Sequence, residues 1–346
     1  MGGMEKYVFD LTHALVLLGL DVSIICEEVT DVYDPAITIK KLEIPKFRHR
    51  WQSMLAFREA VAEFCRDILL DRKIILHSHE RSICHHITTF HGPPLAPRSF
   101  FDKAGLNRRY NAWTRMECDE LMSCSVQKIL CVSSLVQSQL VEKYPSLDSW
   151  NFELAWPGYS QAEAAGDECR PQISTPGLRV VFVGKEWRRK GLSLAYKVIQ
   201  EFRSKYSQCS LDVYGPKAYE LPGVMKRDRC VRVHGWVRQI PWGQFDVLLH
   251  PAKHEPFGMV VQEARARGLP VLMSDQVGAR DLNFSETITL GIDDSLNAWV
   301  DALFELSQIP PNSTSPEIKW TVRELAELHV RLIYPQVFER INRWGV

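Results

Sequence analysis

The chain has 346 residues, enough for two α/β domains that each bury a core of their own. Its 42 basic and 42 acidic side chains cancel, which removes any net-charge argument for a nucleic-acid partner. No run of about 18 apolar residues is present to span a bilayer, and nine scattered cysteines without a CxxC pair argue against a zinc site or a disulfide framework.

Met1 leads directly into Gly2 and Gly3 rather than into a secretory signal, so the cytoplasm is the expected location. The glycine pair precedes a helical pattern from Glu5 to Leu18, then a strand over Val22–Cys26. A helix over Met54–Leu70 and strands over Lys73–His77, Ile87–Phe90 and Lys128–Val132 follow. From Ser160 to Gly177 the chain turns small and polar (SQAEAAGDECRPQISTPG), which reads as a linker. The second half restarts with a strand over Leu178–Val183 and a helix over Leu192–Tyr206, then strands within LDVYG and VRVHG. Phe245–His250 is an apolar run ending at Pro251, as in a strand covered on both faces. Met259–Arg267 has no helix breaker and stops at Gly268, with Pro270 just beyond, and Pro270–Met273 resumes the apolar run. The tail, Arg323–Trp344, is helical and aromatic.

Two βα-repeating halves predict an α/β fold of two doubly wound, Rossmann-like domains facing a cleft. The expected boundaries are 1–159, a linker at 160–177, 178–322, and a terminal helix at 323–346 that crosses back to the first domain.

Chemistry is densest where strands end. The loop after Phe245–His250 carries Glu255, Phe257 and Gly258, and Met259 opens the next helix with N–H groups that suit an anion. Glu263 follows Glu255 by eight positions. Ionised carboxylates only accept hydrogen bonds, and sugar hydroxyls donate them, so the pair suits a hydroxyl-rich ligand. The bland alternative is a solvated helix residue and a carboxylate favouring the helix dipole. A second loop, after Val183, holds Lys185, Arg188, Arg189 and Lys190 before Gly191. Cations at a strand end can grip a diphosphate, Arg as a planar fork and Lys as a point charge, although a solvated basic loop would look the same. His77, His79, His85, His86 and His91 cluster in sequence, but no neighbouring cysteine or acidic pair completes a usual metal set.

Taken together, the Glu-x7-Glu spacing at Glu255 and Glu263, the Arg189–Lys190 pair before Gly191, the GGMEKY start and TTFHGPP resemble the retaining family 4 glycosyltransferases of GT-B architecture. The details are most similar to the lipopolysaccharide-core glucosyltransferase type. The resemblance implies transfer of a sugar from a nucleotide-diphosphate donor to a glycan or glycolipid hydroxyl with retention, without a metal or other cofactor. It implies catalytic roles for His91, Arg189, Lys190 and Glu255. Donor binding would fall to Gly2, Gly3, Arg189, Lys190, Glu255, Phe257, Gly258, Met259 and Glu263, with Glu263 on the ribose. WPGYS resembles the hinge entry, and VRVHGWV the segment beside the nucleotide base.

One departure stands out. Family members carry an apolar strand before the glycine loop, and here only Met1 precedes it. Loss of that central strand would leave backbone groups unpaired, so a start codon assigned too late is the expected cause. Two basic and aromatic stretches, KFRHRWQSMLAFR (Lys46–Arg58) and RSFFDKAGLNRRYNAWTR (Arg98–Arg115), suit an anionic membrane surface, here the inner face of the plasma membrane. Two other classes stay open: a GT-B nucleotide-sugar epimerase, and a non-catalytic nucleotide-sugar-binding protein. Product analysis without an acceptor separates the epimerase from the transferase.

Overall fold

The computed structural model describes residues 2–68, 74–95, 108–123, 125–147, 152–160, 177–206, 208–310 and 314–333. The chain divides into two compact units, one of residues 1–158 with the segment from Val322 onward, the other Tyr159–Thr321. Most of the polar 160–177 stretch and the end of the tail lie outside the described residues. Among the described residues no helix is long and apolar enough to cross a membrane.

The first unit alternates helices and parallel strands: α1 (Gly3–Leu17), β1 (Ser23–Cys26), β2 (Thr38–Lys41), α2 (Arg50–Phe64), β3 (His77–Ser78) and β4 (Ile87–Phe90). It continues with α3 (Arg108–Met122), β5 (Lys128–Cys131), α4 (Ser134–Lys143) and β6 (Phe152–Leu154). Its strands form two separate sheets, β1-β2 and β3-β4-β5-β6, so β1 and β3 each leave one side without a strand neighbour among the described residues. The strand expected over Lys73–His77 is reduced to His77–Ser78, and Lys73 lies outside the described residues. The cause is local: the Leu76 amide donates to Nδ1 of His86 at 3.0 Å, so a side chain takes the bond a strand neighbour would have made. Helix α2 ends at Phe64, before the expected Leu70. Helix α4 is capped by Ser133, whose hydroxyl accepts from the Val136 amide at 3.3 Å.

The second unit holds β7 (Leu178–Val183), α5 (Leu192–Lys205), β8 (Cys209–Tyr214), α6 (Gly223–Arg227), β9 (Val231–Gly235) and β10 (Val247–His250). After these come α7 (Met259–Arg265), β11 (Val271–Ser274), β12 (Thr287–Leu290) and α8 (Leu296–Ser307). Helix α9 (Val322–Ile333) then returns to the first unit and packs on α1. The six parallel strands run β12-β11-β10-β7-β8-β9, so the unit's first strand lies beside its fourth. That is the order of a dinucleotide-type doubly wound sheet, with its switch point between β7 and β10. Val247, Leu248 and Leu249 are fully buried, as a strand covered on both faces requires. On α5, Leu192, Ala195, Val198, Ile199 and Phe202 recur at helical spacing and are buried against the sheet. Burial of Leu192, Val198, Ile199 and Phe202 stabilises the unit by roughly 1.5–3 kcal/mol each.

Glu120 is a buried polar outlier of the first unit. It is 3% exposed, accepts from the Thr88 hydroxyl at 2.6 Å, and its Oε2 has no partner among the described residues. Burial pushes its pKa up to about 8, against the lowering effect of Thr88. A folded-state pKa above the unfolded value of 4.5 means the native state favours the protonated carboxyl. This stabilisation is complete below pH 4.5 and is lost as pH rises through about 8. Glu120→Gln keeps an acceptor for Thr88 without the titration. Its melting temperature should therefore exceed that of the wild type at pH 9 and fall less between pH 5 and 9; parallel curves would contradict the assignment.

Candidate functional site

At the switch point the loop after β7 and the loop after β10 emerge side by side, and their charged side chains meet. The first delivers Arg189 and Lys190, the second Glu255. One oxygen of Glu255, Oε2, lies 3.1 Å from Arg189 Nη1 and 3.1 Å from Lys190 Nζ. The Arg189 fork is fixed further by Glu186, which accepts from Nε at 2.9 Å and Nη2 at 2.6 Å, and by the His254 carbonyl at 2.5 Å from Nη1. The Arg189 carbonyl accepts from the Lys253 amide at 2.8 Å, which ties the two loops together through backbone. Glu255 is 8% exposed, and its backbone bonds to Gln276 and Gly278 hold it against the segment after β11.

The electrostatics follow from this packing. Burial works to raise the Glu255 pKa, but the Lys190 ammonium and the Arg189 guanidinium outweigh it and hold the carboxyl below its usual range. Arg189 is shifted upward, since Glu255 and Glu186 outweigh the opposing effect of burial. His250, fully buried at the end of β10, lies with Nε2 3.8 Å from Glu255 Oε2, and neither ring nitrogen has a hydrogen bond among the described residues. Burial, reinforced by Lys190, drives its pKa down to about 3, so it stands as a neutral ring beneath the cluster.

Two glycines make the close approach possible. Gly191 has φ +83° and a Cβ there would run into the Pro251 carbonyl, so the β7 and β10 loops touch only because a side chain is missing. Gly258, at φ +97°, turns the chain into α7, where a Cβ would come within 2.8 Å of Val277. Phe257 is buried and its carbonyl already accepts from the Ala279 amide at 2.7 Å, so only its amide remains for a ligand. Met259 begins α7 and Glu263 lies on that helix, partly exposed.

The first unit contributes a different cluster. Tyr7 of α1 is 2% exposed and packs edge-on against His91, with ring centroids 4.8 Å apart. His79 Nδ1 and His91 Nε2 are hydrogen-bonded at 2.9 Å, and the His77 ring lies 4.1 Å from that of His79. His329, from α9, completes the group 5.2 Å from His77. Gly2 and Gly3 open α1, with Gly2 as its extended N-cap. Among the described residues no three His, Cys, Asp or Glu side chains converge as a metal-ligand set. The structure thus brings Arg189, Lys190 and Glu255 into contact, with Phe257, Gly258, Met259 and Glu263 alongside, and places Gly2, Gly3 and His91 in the other unit. Sequence reasoning missed Glu186, His250 and His329. Spacing could have flagged Glu186, three residues before Arg189; only the fold brings His250 and His329 to their clusters.

This is the architecture of the GT-B glycosyltransferases. Residues 1–158 match the family described as Glycosyltransferase Family 4, and residues 177–308 match Glycosyl transferases group 1. The two matches follow one another along the chain and together take in most of its length. Over 99% of this chain and 96% of the other, the fold superposes with TM-score 0.73 and 16% identity on WaaG, a glycosyltransferase involved in lipopolysaccharide biosynthesis. Anabaena Alr3699/HepE, solved with UDP and glucose, matches with TM-score 0.63 and 14% identity over 99% of this chain and 96% of its own. The phosphatidylinositol N-acetylglucosaminyltransferase GPI3 subunit of Saccharomyces cerevisiae is 23% identical over 303 residues, covering 80% of this chain. The chain spans only 66% of that relative's length.

The histidine cluster makes the fold acid-sensitive. His329 is wholly buried; its Nδ1–H donates to the Leu325 carbonyl at 2.7 Å, and Nε2 is a lone pair with no partner among the described residues. Burial takes its pKa from 6.5 down to about 4, against the raising effect of the Leu325 carbonyl. His91 is lowered to about 3 by burial and by His329. A depressed folded-state value gives stability that is complete above pH 6.5 and lost as pH falls toward about 4. Melting temperature should be level above pH 6.5 and drop below it, and His329→Phe should shrink that drop. An undiminished acid-side fall in the variant would contradict this assignment.

Proposed function

We propose that the protein is a retaining hexosyltransferase that moves a sugar from a nucleotide-diphosphate donor to a hydroxyl of a glycan or glycolipid. Its setting would be lipopolysaccharide core or other cell-envelope glycan synthesis. The observation that carries this reading is the sharing of Glu255 Oε2 by Arg189 and Lys190 at the switch point, where doubly wound sheets bind nucleotides. HepE, crystallised with UDP and glucose, and WaaG, with its part in lipopolysaccharide synthesis, support the donor class and the setting.

In the proposed reaction the anomeric carbon–oxygen bond breaks and negative charge grows on the departing diphosphate. Arg189 and Lys190 stabilise that charge from fixed positions, without reorganising during the step. This is the role a divalent metal has in other glycosyltransferases, so no metal or other cofactor is expected. Glu255 keeps the cations in place through Oε2, while Oε1, which has no hydrogen bond among the described residues, accepts from donor-sugar hydroxyls. Glu263 takes the ribose hydroxyls, and the amides of Phe257, Gly258 and Met259 complete the donor contacts. His91 lies beside the donor sugar, with Gly2 and Gly3 close to it through backbone. The acceptor hydroxyl attacks on the face the diphosphate leaves, through an oxocarbenium-like state, and its proton passes to the departing diphosphate oxygen.

A lipid-linked acceptor fits peripheral binding at the inner face of the plasma membrane. Lys46, Phe47, Arg48, His49 and Arg50 are consecutive and exposed, and Arg108, Arg109 and Arg115 on α3 are exposed as well. Trp113, half-buried on the same helix, has the Arg81 guanidinium 5.8 Å from its ring. Residues 96–107 of this stretch lie outside the described residues.

Arg189→Ala and Lys190→Ala should each cut donor turnover at least tenfold, about 1.4 kcal/mol of transition-state stabilisation, with EDTA leaving the wild-type rate unchanged. Wild-type rates in both variants, or full loss in EDTA, would overturn the metal-free mechanism. The protein should sediment with anionic but not zwitterionic vesicles, and release as salt rises. Equal binding to both vesicle types would reject the electrostatic account.

A further inference from the structure

His91 occupies its place in the first unit under unusually tight constraint. Its Nε2 is bonded to His79 Nδ1 at 2.9 Å, its ring is pressed by the Tyr7 edge at 4.8 Å and an interplanar angle of 81°, and its Nδ1 makes no hydrogen bond among the described residues. His79 is itself clamped between the His77 ring at 4.1 Å and the Tyr7 ring at 5.6 Å. His77 is anchored in turn, its Nε2 lying 2.7 Å from the Thr89 hydroxyl. Thr89 is also hydrogen-bonded to the Tyr7 hydroxyl, which sits 3.4 Å from the Ala155 carbonyl. A carbonyl can only accept, so the chain has one polarity: Tyr7 donates to Ala155, Thr89 to Tyr7, and His77 Nε2–H to Thr89. That polarity ends at His77, whose ring then packs on His79 without a hydrogen bond between them, and His79 passes the contact on to the ring proposed to face the donor sugar.

We infer that His79 is a positioning residue for His91, binding Nε2 so that His91 is held in one tautomer and one ring rotation with Nδ1 presented to the donor. The inference rests on the transferase reading above and deepens it. Ring flips or tautomer exchange in an unanchored His91 would place a C–H or the wrong protonation state against the sugar for part of the time. The two nitrogens of imidazole are chemically distinct, and the hydrogen bond made by one sets what the other can do. Neither ring is kept in place by charge: burial lowers the pKa of both, so each is neutral at pH 7 and one ring donates its N–H to the lone pair of the other. No carboxylate hydrogen-bonds to either ring among the described residues, so His79 alone sets the His91 tautomer.

Two substitutions and one spectroscopic readout test this. His79→Phe keeps a ring between His77 and Tyr7 but removes the hydrogen bond. His79→Asn places an amide near the position of Nδ1, able to donate or accept. The expected result is a kcat roughly tenfold lower in the Phe variant, with donor KM changed by less than about twofold, and recovery of most of the loss in the Asn variant. In nitrogen-15 spectra of the wild-type protein His91 should show one pyridine-type and one pyrrole-type nitrogen, and the Phe variant should show averaged signals. Wild-type kcat and unchanged His91 signals in the Phe variant would overturn the inference. So would averaged His91 signals in the wild type, a result that needs no variant to fold. If the wild-type chain transfers no sugar from any nucleotide donor, the transferase reading fails by itself, and the His91 tautomer still decides whether His79 positions it.

Discussion

The second unit's site depends on one carboxylate oxygen that two cations share. Without Glu255, Arg189 and Lys190 would be two positive groups held close together at the ends of buried strands, repelling each other where little water screens them. With it, both are drawn to a point fixed by backbone bonds to the segment after β11. The same oxygen is kept ionised by the cations it organises, despite a burial that favours the neutral acid. Glu255 in turn reinforces the charge on Arg189. The strand order permits this arrangement, because only at the β7–β10 junction do the loops of the first and fourth strands lie side by side.

How much of this was legible beforehand varies with the physics of each element. Short strands with sharp ends were found with their boundaries intact: the largely apolar Leu178–Val183, the buried Ile87–Phe90 with its central threonines, and Val231–Gly235, whose side chains alternate between half-buried and exposed. Exposed β2 has no apolar run: Thr38, Lys40 and Lys41 are exposed and only Ile39 is partly covered, so neither period nor hydrophobicity marked it. The shortened β3 was misread because an imidazole, not a strand, satisfies the Leu76 amide, and no local pattern encodes that. Helix α4 could have been found from its cap, since Ser133 precedes an apolar-periodic segment.

The candidate residues divide in a similar way. Arg189, Lys190 and Glu255 were read from two separate loops, and their convergence is a property of topology rather than of spacing. His77, His79 and His91 looked like an incomplete metal set; in the fold these partly buried rings form an aromatic row with the buried Tyr7 and His329, and desolvation keeps the imidazoles neutral. Sequence alone could not supply His329, which arrives on α9 from the far end of the chain. The division of the first unit's strands into two sheets is the other feature with structural weight, since a doubly wound domain ordinarily runs them as one.

The claim on which the account turns is that Arg189, Lys190 and Glu255 form the seat of a nucleoside diphosphate. Titration calorimetry of UDP, GDP and ADP against the full chain tests it without a known acceptor or sugar. The account predicts that one of the three binds with a Kd in the micromolar range, that its affinity weakens as salt rises, and that the matching nucleoside without phosphates binds far more weakly. Failure of all three to bind at millimolar concentration, or equal affinity for the diphosphate and the bare nucleoside, would contradict it.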